Sequence, residues 1–463
     1  MSAQCLNTPY SHSISHPRNS IYKASRPAGF CSLNREQKQR QRHRQLIEVP
    51  QPPESITCYN PGKPGSNRNI QKIMTDNSNT YDIVIIGAGI QGAGVAQAAA
   101  ICGYRTLVLE KFSAAGLGTS CKSSKLIHGG LRYLETGQLR LVRECLQERK
   151  RLLKNAPHLV KLISFYIPIY KNSTRPAWLI WLGLCIYSIL SFKKFSIVKK
   201  SQWENLDNLH QENLRYVFKY YDAQTDDKKL TQAVIKSAIK HGAEIRYNAE
   251  LINCVANEKT HDICFEKNDQ LSYVHAKCII NCSGPWVKNT QDRISPELHT
   301  PDIDLISGTH IIINHTTIKG AYYIQANDNR AIFILPWKNN TVLVGTTETP
   351  YSGDPGEVSP TDSETTYLLE NYNQHFNSHV TKNEIVSAFS GVRVLPGNTK
   401  SSFKKSRDSL IIHNSGIPAQ ITVVGGKLTG YRASSEKVIK LLKKMLPSDS
   451  KISADKTRNM KLE

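Results

Sequence analysis

Gly87-Ala88-Gly89-Ile90-Gln91-Gly92 spaces its glycines as Gly-x-Gly-x-x-Gly. That spacing suits a pyrophosphate. Gly87 permits a tight turn, Gly89 lets backbone approach the anion, and Gly92 lets a following helix pack close to the preceding strand. The helix then points its N-terminal amides at the negative charge. Glu110 follows where a carboxylate accepts the ribose hydroxyls of a dinucleotide. A carboxylate there disfavours a 2′-phosphate but does not separate NAD from FAD. Two later segments separate them. Gly118 to Tyr133 is dense in hydroxyls, glycines and cations, and follows Glu110 where the chain of an FAD enzyme passes over the flavin. Far downstream, Gly425-Gly426-Lys427-Leu428-Thr429-Gly430 forms a second glycine-rich strand-to-helix turn. Such a turn offers positive charge to the N1–C2=O edge of a reduced flavin, and a nicotinamide domain has no need of it. The expected cofactor is FAD.

These residues need particular elements to hold them. Tyr81 to Ile86 is a short, β-branched apolar run of the kind buried in a parallel sheet. A helix is expected from Ile90 to about Cys102, then a strand from Thr106 to Glu110. Ile421 to Val424 reads as another buried strand leading into a helix. The nearly continuous apolar stretch Ala177–Leu190 contains Trp178, Trp181 and Tyr187, and Lys193, Lys194, Lys199 and Lys200 follow it. It is too short to span a bilayer. Two readings remain for it: a buried core helix, or an interfacial segment with aromatics on one side and cations on the other.

The 463 residues suffice for two ordinary domains, and 39% hydrophobic with 21% charged residues is a globular composition. The net charge of +22 first suggests nucleic acid. Residues 1–73 alone hold 11 Lys/Arg against 3 Asp/Glu, so +8 of the excess lies in one tail. The rest is spread without a basic block or recognition motif, which argues against a nucleic-acid partner. The 11 cysteines include no Cys-x-x-Cys, and no zinc ligand set is found. Reduced, mostly buried thiols on the cytosolic side fit that usage. Residues 1–78 are rich in Ser, Pro, Asn, Gln and Arg without apolar periodicity. They read as a disordered extension or a mis-assigned start, with Met74 as the candidate first residue. A secretory signal fits poorly for want of an apolar core, whereas a transit peptide stays open.

Ser123-Ser124-Lys125-Leu126-Ile127-His128-Gly129-Gly130-Leu131-Arg132-Tyr133-Leu134-Glu135 closely resembles the signature of FAD-dependent glycerol-3-phosphate dehydrogenases. So do Arg175-Pro176-Ala177-Trp178, Ser283-Gly284-Pro285-Trp286-Val287, Gly308-Thr309-His310, Pro336-Trp337, Gly345-Thr346-Thr347, Ser390-Gly391-Val392-Arg393, Ser406-Arg407-Asp408 and Gly425-Gly426-Lys427-Leu428-Thr429. Order and spacing match from about Tyr81 to Leu442. The resemblance implies an α/β fold: a Rossmann-like FAD-binding domain, glutathione-reductase-like or D-amino-acid-oxidase-like, interleaved with a mostly antiparallel substrate-binding sheet. The expected domain segments are 79–160, 226–290 and 386–445 for FAD, and 161–225 (with the apolar helix) and 291–385 for substrate, with 446–463 a tail. The resemblance also implies oxidation of sn-glycerol 3-phosphate to dihydroxyacetone phosphate by hydride transfer to flavin N5, with electrons passed to a membrane quinone. The protein would then sit on the cytoplasmic side, soluble or peripheral on the inner membrane, with no transmembrane helix.

The matching positions supply the site. A phosphate needs fixed cations, and Arg132, Arg393, Arg407 and Lys427 recur in separate loops, with Tyr133 as a further donor. His310 is the candidate acceptor of the carbinol proton, and Arg393 is its rival as the group that lowers the hydroxyl's pKa. Gly87, Gly89, Gly92, Glu110, Thr119, Ser120, Ser124, Lys125, His128, Gly129, Ser283, Gly284, Gly426, Leu428 and Thr429 are the expected cofactor residues. Three departures stand out. The chain stops soon after the helix near Ser434, where many members continue into a helical C-terminal domain. Glu348 follows Thr347 where Asp is more usual, and Val394 follows Arg393 where Pro is usual, ahead of a basic segment from Gly397 to Lys405. The alternatives are an FAD oxidoreductase of a 2-hydroxy acid or amino acid, and a non-enzymatic FAD-binding protein.

Overall fold

The computed structural model describes residues 79–314, 320–397, 408–416, 418–448 and 452–463. The readings made for 1–78 and for Arg407 lie outside them. Strand β1 (Thr80–Ile86), helix α1 (Ile90–Ile101) and strand β2 (Thr106–Glu110) form the expected unit. β1 is the centre of a sheet because its Ile83, Val84 and Ile85 are apolar on both faces and fully buried. It pairs in parallel with β2 on one side and with Gln270–Asn281 on the other. Glu244–Tyr247 extends the sheet in parallel beyond β2, and Ala419–Gly425 extends it beyond the end of Gln270–Asn281. The earlier half of Gln270–Asn281 turns instead to the antiparallel hairpin Ala249–Ala256 and His261–Lys267. The carboxyl ends of five parallel strands thus face one crevice, the place where such sheets bind ligands.

Among the described residues, the second sheet has 10 strands. Its backbone is the long antiparallel pair Val160–Tyr170 with Leu214–Thr225, joined to Ala321–Gln325 by the one parallel pairing described in this sheet. Ala331–Pro336, Val342–Gly345, Ile303–Ile313 and Ile385–Pro396 continue it, all antiparallel. The two sheets are interleaved in sequence: Leu126–Ile127, which follows β2, already belongs to the second. The α/β fold with a mostly antiparallel second sheet is therefore present.

Two features depart from the sequence reading. The apolar stretch forms the helix Ala177–Ser191, but only Ile180, Leu184 and Tyr187 of it are buried. Trp178 (66%), Ile189 (72%) and, just past its end, Phe192 (88%) are exposed, so the buried core helix does not hold. Among the described residues, no helix is long and apolar enough to cross a membrane.

Residues 452–463 form a clasp rather than a loose tail. Ala454 and Leu462 are buried in the main core, and the Leu462 amide donates to the Asn155 carbonyl at 2.8 Å. The clasp closes over an ion network in which Arg432 forks onto Glu148 with two 2.7 Å bonds and reaches Glu436 at 2.8 Å. Arg458 from the clasp completes the pairing of Glu436. Arg432 and Glu148 are both buried, so removing Glu148 leaves the Nε and Nη2 side of the guanidinium without its carboxylate, and Glu436 alone to balance the charge. Glu148→Ala is expected to cost about 3–5 kcal/mol, read as a lowered unfolding midpoint with no change in the assigned site.

Candidate functional site

Three adjoining cavities run along the crevice. The first, of about 190 Å³, lies at the ends of β1 and β2 and is lined by Gly87, Gly89, Glu110, Thr119, Ser120, Ser283 and Gly284, among others. The geometry accounts for the glycines. Gly87 adopts a φ of +98°, and a Cβ on Gly92 would stand 1.9 Å from the Gly87 carbonyl oxygen. Ser120 Oγ accepts the Ile90 amide at 2.9 Å, pinning the next loop to the start of α1. The Glu110 carboxylate accepts the amides of Ala88 (2.6 Å) and Phe112 (2.9 Å). Burial pushes its pKa up, and those two amides act in the opposite direction. At the far end Phe112 meets Trp286 edge-on at 5.8 Å, with the Lys111 ammonium 3.8 Å from the Trp286 ring centre. That aromatic pair was not foreseen as a cofactor contact, although Trp286 lies in a quoted motif.

The second cavity, of about 250 Å³, shares Gly89, Thr119, Ser120 and Gly284 with the first and continues past Ser124, His128, Tyr133, His310 and Arg393 to the turn Gly425–Thr429. It opens without a break into the third, whose lining includes Ser124, His128, Arg132, Tyr133, Asp222, Tyr323, Arg330, Glu348 and Arg393. An elongated ligand with an anionic middle fits the first two, and a small polar one fits the third. The donors, glycine cradles and aromatic end suit FAD.

His310 and Arg393 come from neighbouring strands of the second sheet, Ile303–Ile313 and Ile385–Pro396. Arg393 can cross only because position 308 is glycine: a Cβ there would lie 2.5 Å from Arg393 Nη2 and 2.6 Å from Thr346 Oγ1. Its guanidinium donates to the Thr347 carbonyl and to Glu348, each at 3.2 Å. His310 stacks on Phe389 at 5.0 Å, and its Nε2 is 2.9 Å from Ser124 Oγ. Its Nδ1 is buried and finds no partner among the described residues. Burial, then the charges of Lys125 and Arg393, hold its pKa well below the usual imidazole value, so the ring is neutral at pH 7. Lys427 sets its ammonium 3.9 Å from the Tyr133 ring centre, and Arg132 lies over the same ring.

Not every expected residue reaches the cavities. Lys125 turns its ammonium onto Asp227 at 2.8 Å and lines none of the three. It braces the loop instead. The Gly129 amide donates to Tyr187 Oη at 2.9 Å and to Asp222 at 3.3 Å, also away from the cofactor cavities. Tyr187 Oη in turn donates to Asp222, which is paired with Arg149, so the apolar helix is tied to the His128–Arg132 loop. Glu348 went unforeseen as a site residue, although its departure from the usual Asp marked the position. Asp222, Tyr323 and Arg330 left no such signal.

A sequence profile described as FAD dependent oxidoreductase matches residues 82–432. The chain is 36% identical over 364 residues to a glycerol-3-phosphate dehydrogenase of Pseudomonas tolaasii, covering 77% of this chain and 70% of that protein. It is 34% identical over 378 residues to a D-erythritol 1-phosphate dehydrogenase of Brucella abortus, covering 80% and 74%. The solved structure of glycerol-3-phosphate dehydrogenase from Bacillus halodurans, complexed with FAD, matches with a TM-score of 0.65 at 24% identity, covering 83% of this chain and 68% of that one.

Proposed function

The chain belongs to the FAD-dependent oxidoreductase family, and from that premise we propose that it oxidises sn-glycerol 3-phosphate to dihydroxyacetone phosphate. One observation supports the reading: Arg393 lies beside a neutral His310 and lines both the substrate cavity, with Arg132, and the glycine-rich crevice, with Lys427. Fixed cations suit a phosphate, and a neutral imidazole beside a guanidinium suits an alcohol that must lose a proton. FAD, when bound, supplies a two-electron acceptor for the alcohol carbon. Gly87, Gly89, Ser120, Ser283 and Gly284 would hold its pyrophosphate, Glu110 its ribose, and Ser124, His128, Gly426, Leu428 and Thr429 its ring end, while Gly92 lets the helix pack close behind the pyrophosphate cradle.

In this reading Arg132 and Lys427 hold the phosphate, with Tyr133 between them. Arg393 lies against the reacting hydroxyl and favours the developing alkoxide, worth about 2.7–4 kcal/mol for a well-placed donor. The carbinol proton passes to Ser124 Oγ as Ser124 gives its own proton to His310 Nε2, 2.9 Å away, so the imidazole is the final acceptor. Because the His310 pKa is depressed, the base is already unprotonated at pH 7 and stays so as pH falls through about 6.5. The kcat of the enzyme–substrate complex is therefore expected to be flat from pH 8 down through that range. An acid limb centred near 6.5 in kcat would remove His310 from the role. A dye-linked assay across glycerol 3-phosphate, 2-hydroxy acids and amino acids tests the substrate class: turnover confined to phosphorylated polyols supports it, and faster turnover of a carboxylate substrate sinks it.

We propose a quinone as acceptor and a peripheral membrane contact through residues 177–200. The exposed Trp178, Trp181, Ile189 and Phe192 beside Lys193, Lys194, Lys199 and Lys200 support both. Binding to anionic liposomes at low salt, weakened by added salt, is the expected result. A protein that stays in the supernatant at low salt contradicts the membrane contact.

A further inference from the structure

The substrate cavity contains its own competitor for cations. Glu348 Oε1 lies 3.2 Å from Arg393 Nη1 and 3.6 Å from Arg132 Nη2, bridging the two guanidinium groups that line the cavity. All three side chains are largely shielded, at 10%, 27% and 16% exposure for Glu348, Arg393 and Arg132. The other charged groups lining the cavity have partners of their own: Arg330 pairs with Asp328 at 3.2 Å, and Asp222 with Arg149. Arg132, Arg393 and Glu348 pair with one another, and Lys427 lies against the Tyr133 ring. Their charges sum to a small positive excess of the size that the roughly two negative charges of a phosphate would neutralise.

We propose that Glu348 is a specificity-determining residue that selects phosphate dianions over carboxylates. It occupies the guanidinium pair when no substrate anion is present, and yields Arg132 to the substrate phosphate and Arg393 to the reacting hydroxyl. The inference rests on the glycerol 3-phosphate reading above. A tethered carboxylate competes at an effective concentration in the millimolar range or higher. A ligand carboxylate entering the pair exchanges one monoanion for another, so it gains no charge interaction and loses its freedom of motion. A phosphate brings about twice the charge and three strong acceptor oxygens, and outcompetes the internal group. The same carboxylate keeps Arg132 and Arg393 from facing each other uncompensated between turnovers. In this way, a fold similar to that of a glycine oxidase as well as that of a glycerophosphate oxidase can refuse carboxylate ligands.

The test is equilibrium anion binding to the full-length, FAD-loaded protein, without turnover, read as a shift in the flavin absorption band. Inorganic phosphate and acetate are the probes, against the wild type, Glu348→Gln and Glu348→Asp. The wild type is expected to bind phosphate at least about tenfold more tightly than acetate. Glu348→Gln should tighten acetate by about tenfold and collapse that ratio, while Glu348→Asp, which keeps the charge, should retain a preference for phosphate. A ratio near one in the wild type, or an unchanged ratio in Glu348→Gln, overturns the proposal. If Glu348→Gln does not retain FAD, the wild type and Glu348→Asp decide, and a ratio near one in either overturns it. Failure of the glycerol 3-phosphate reading shows separately, as a flavin that glycerol 3-phosphate does not bleach.

Discussion

Arg393→Ala is expected to lower kcat/KM for glycerol 3-phosphate by about 100- to 1000-fold while leaving the flavin bound. The guanidinium reaches the cavity over Gly308, anchored by the Thr347 carbonyl and Glu348 at 3.2 Å. Alanine leaves the cavity without a cation that lies beside both His310 and Glu348. Most of the loss should fall in kcat, because the interaction strengthens as the alcohol becomes an alkoxide. The variant also removes one of the two charges that depress the His310 pKa, so the acid limb of kcat should move up toward the usual imidazole range. Steady-state kinetics over pH measure both. A variant that lost only affinity, with kcat intact, would make Arg393 a phosphate holder and nothing more.

The second large effect is at the cofactor. Gly92→Val is expected to weaken FAD retention by more than about 100-fold, giving a pale or colourless protein. Even a single methyl at position 92 would stand 1.9 Å from the Gly87 carbonyl oxygen and 3.3 Å from Cys282 Cβ. Backbone cannot yield there without moving α1 off β1, and that movement displaces Gly87 and Gly89 together. Gly183→Ala is the control: its Cβ meets only Leu131 Cδ1, at 3.9 Å, in a helix interior where alanine is favoured by up to about 1 kcal/mol. It should stay yellow. The flavin-to-protein absorbance ratio after gel filtration reads the difference.

The cofactor half of the site was legible in the sequence because its signals are local. A β-branched run, three glycines at fixed spacing and an acidic residue after the next strand lie within one β–α–β unit, and the unit falls within a residue or so of its expected bounds. The ring-end glycines at 425 and 426, both at positive φ, announced themselves in the same way. What stayed hidden depends on contacts between distant parts of the chain. Lys125 sits in the densest stretch of the signature, yet Asp227, more than a hundred positions away, takes its ammonium. The Arg432–Glu148 fork and the clasp at Leu462 join segments that no spacing rule connects. The apolar helix could not be resolved between core and surface, because its composition is apolar on every face. Only the packing shows that Leu184 and Tyr187 are buried while Trp178 and Ile189 are not. Glu348 was visible only as a one-methylene departure from the usual residue, and its meaning appears once both arginines are seen to flank it.

The measurement that bears most directly on the account is an anaerobic titration of the full-length, FAD-bearing protein with sn-glycerol 3-phosphate, followed in the visible spectrum. The flavin band is expected to bleach in proportion to substrate added, with dihydroxyacetone phosphate appearing in equal amount. A yellow protein whose band glycerol 3-phosphate leaves unchanged, while a hydroxy acid or an amino acid bleaches it, would contradict the assignment of the cation cluster to a phosphate.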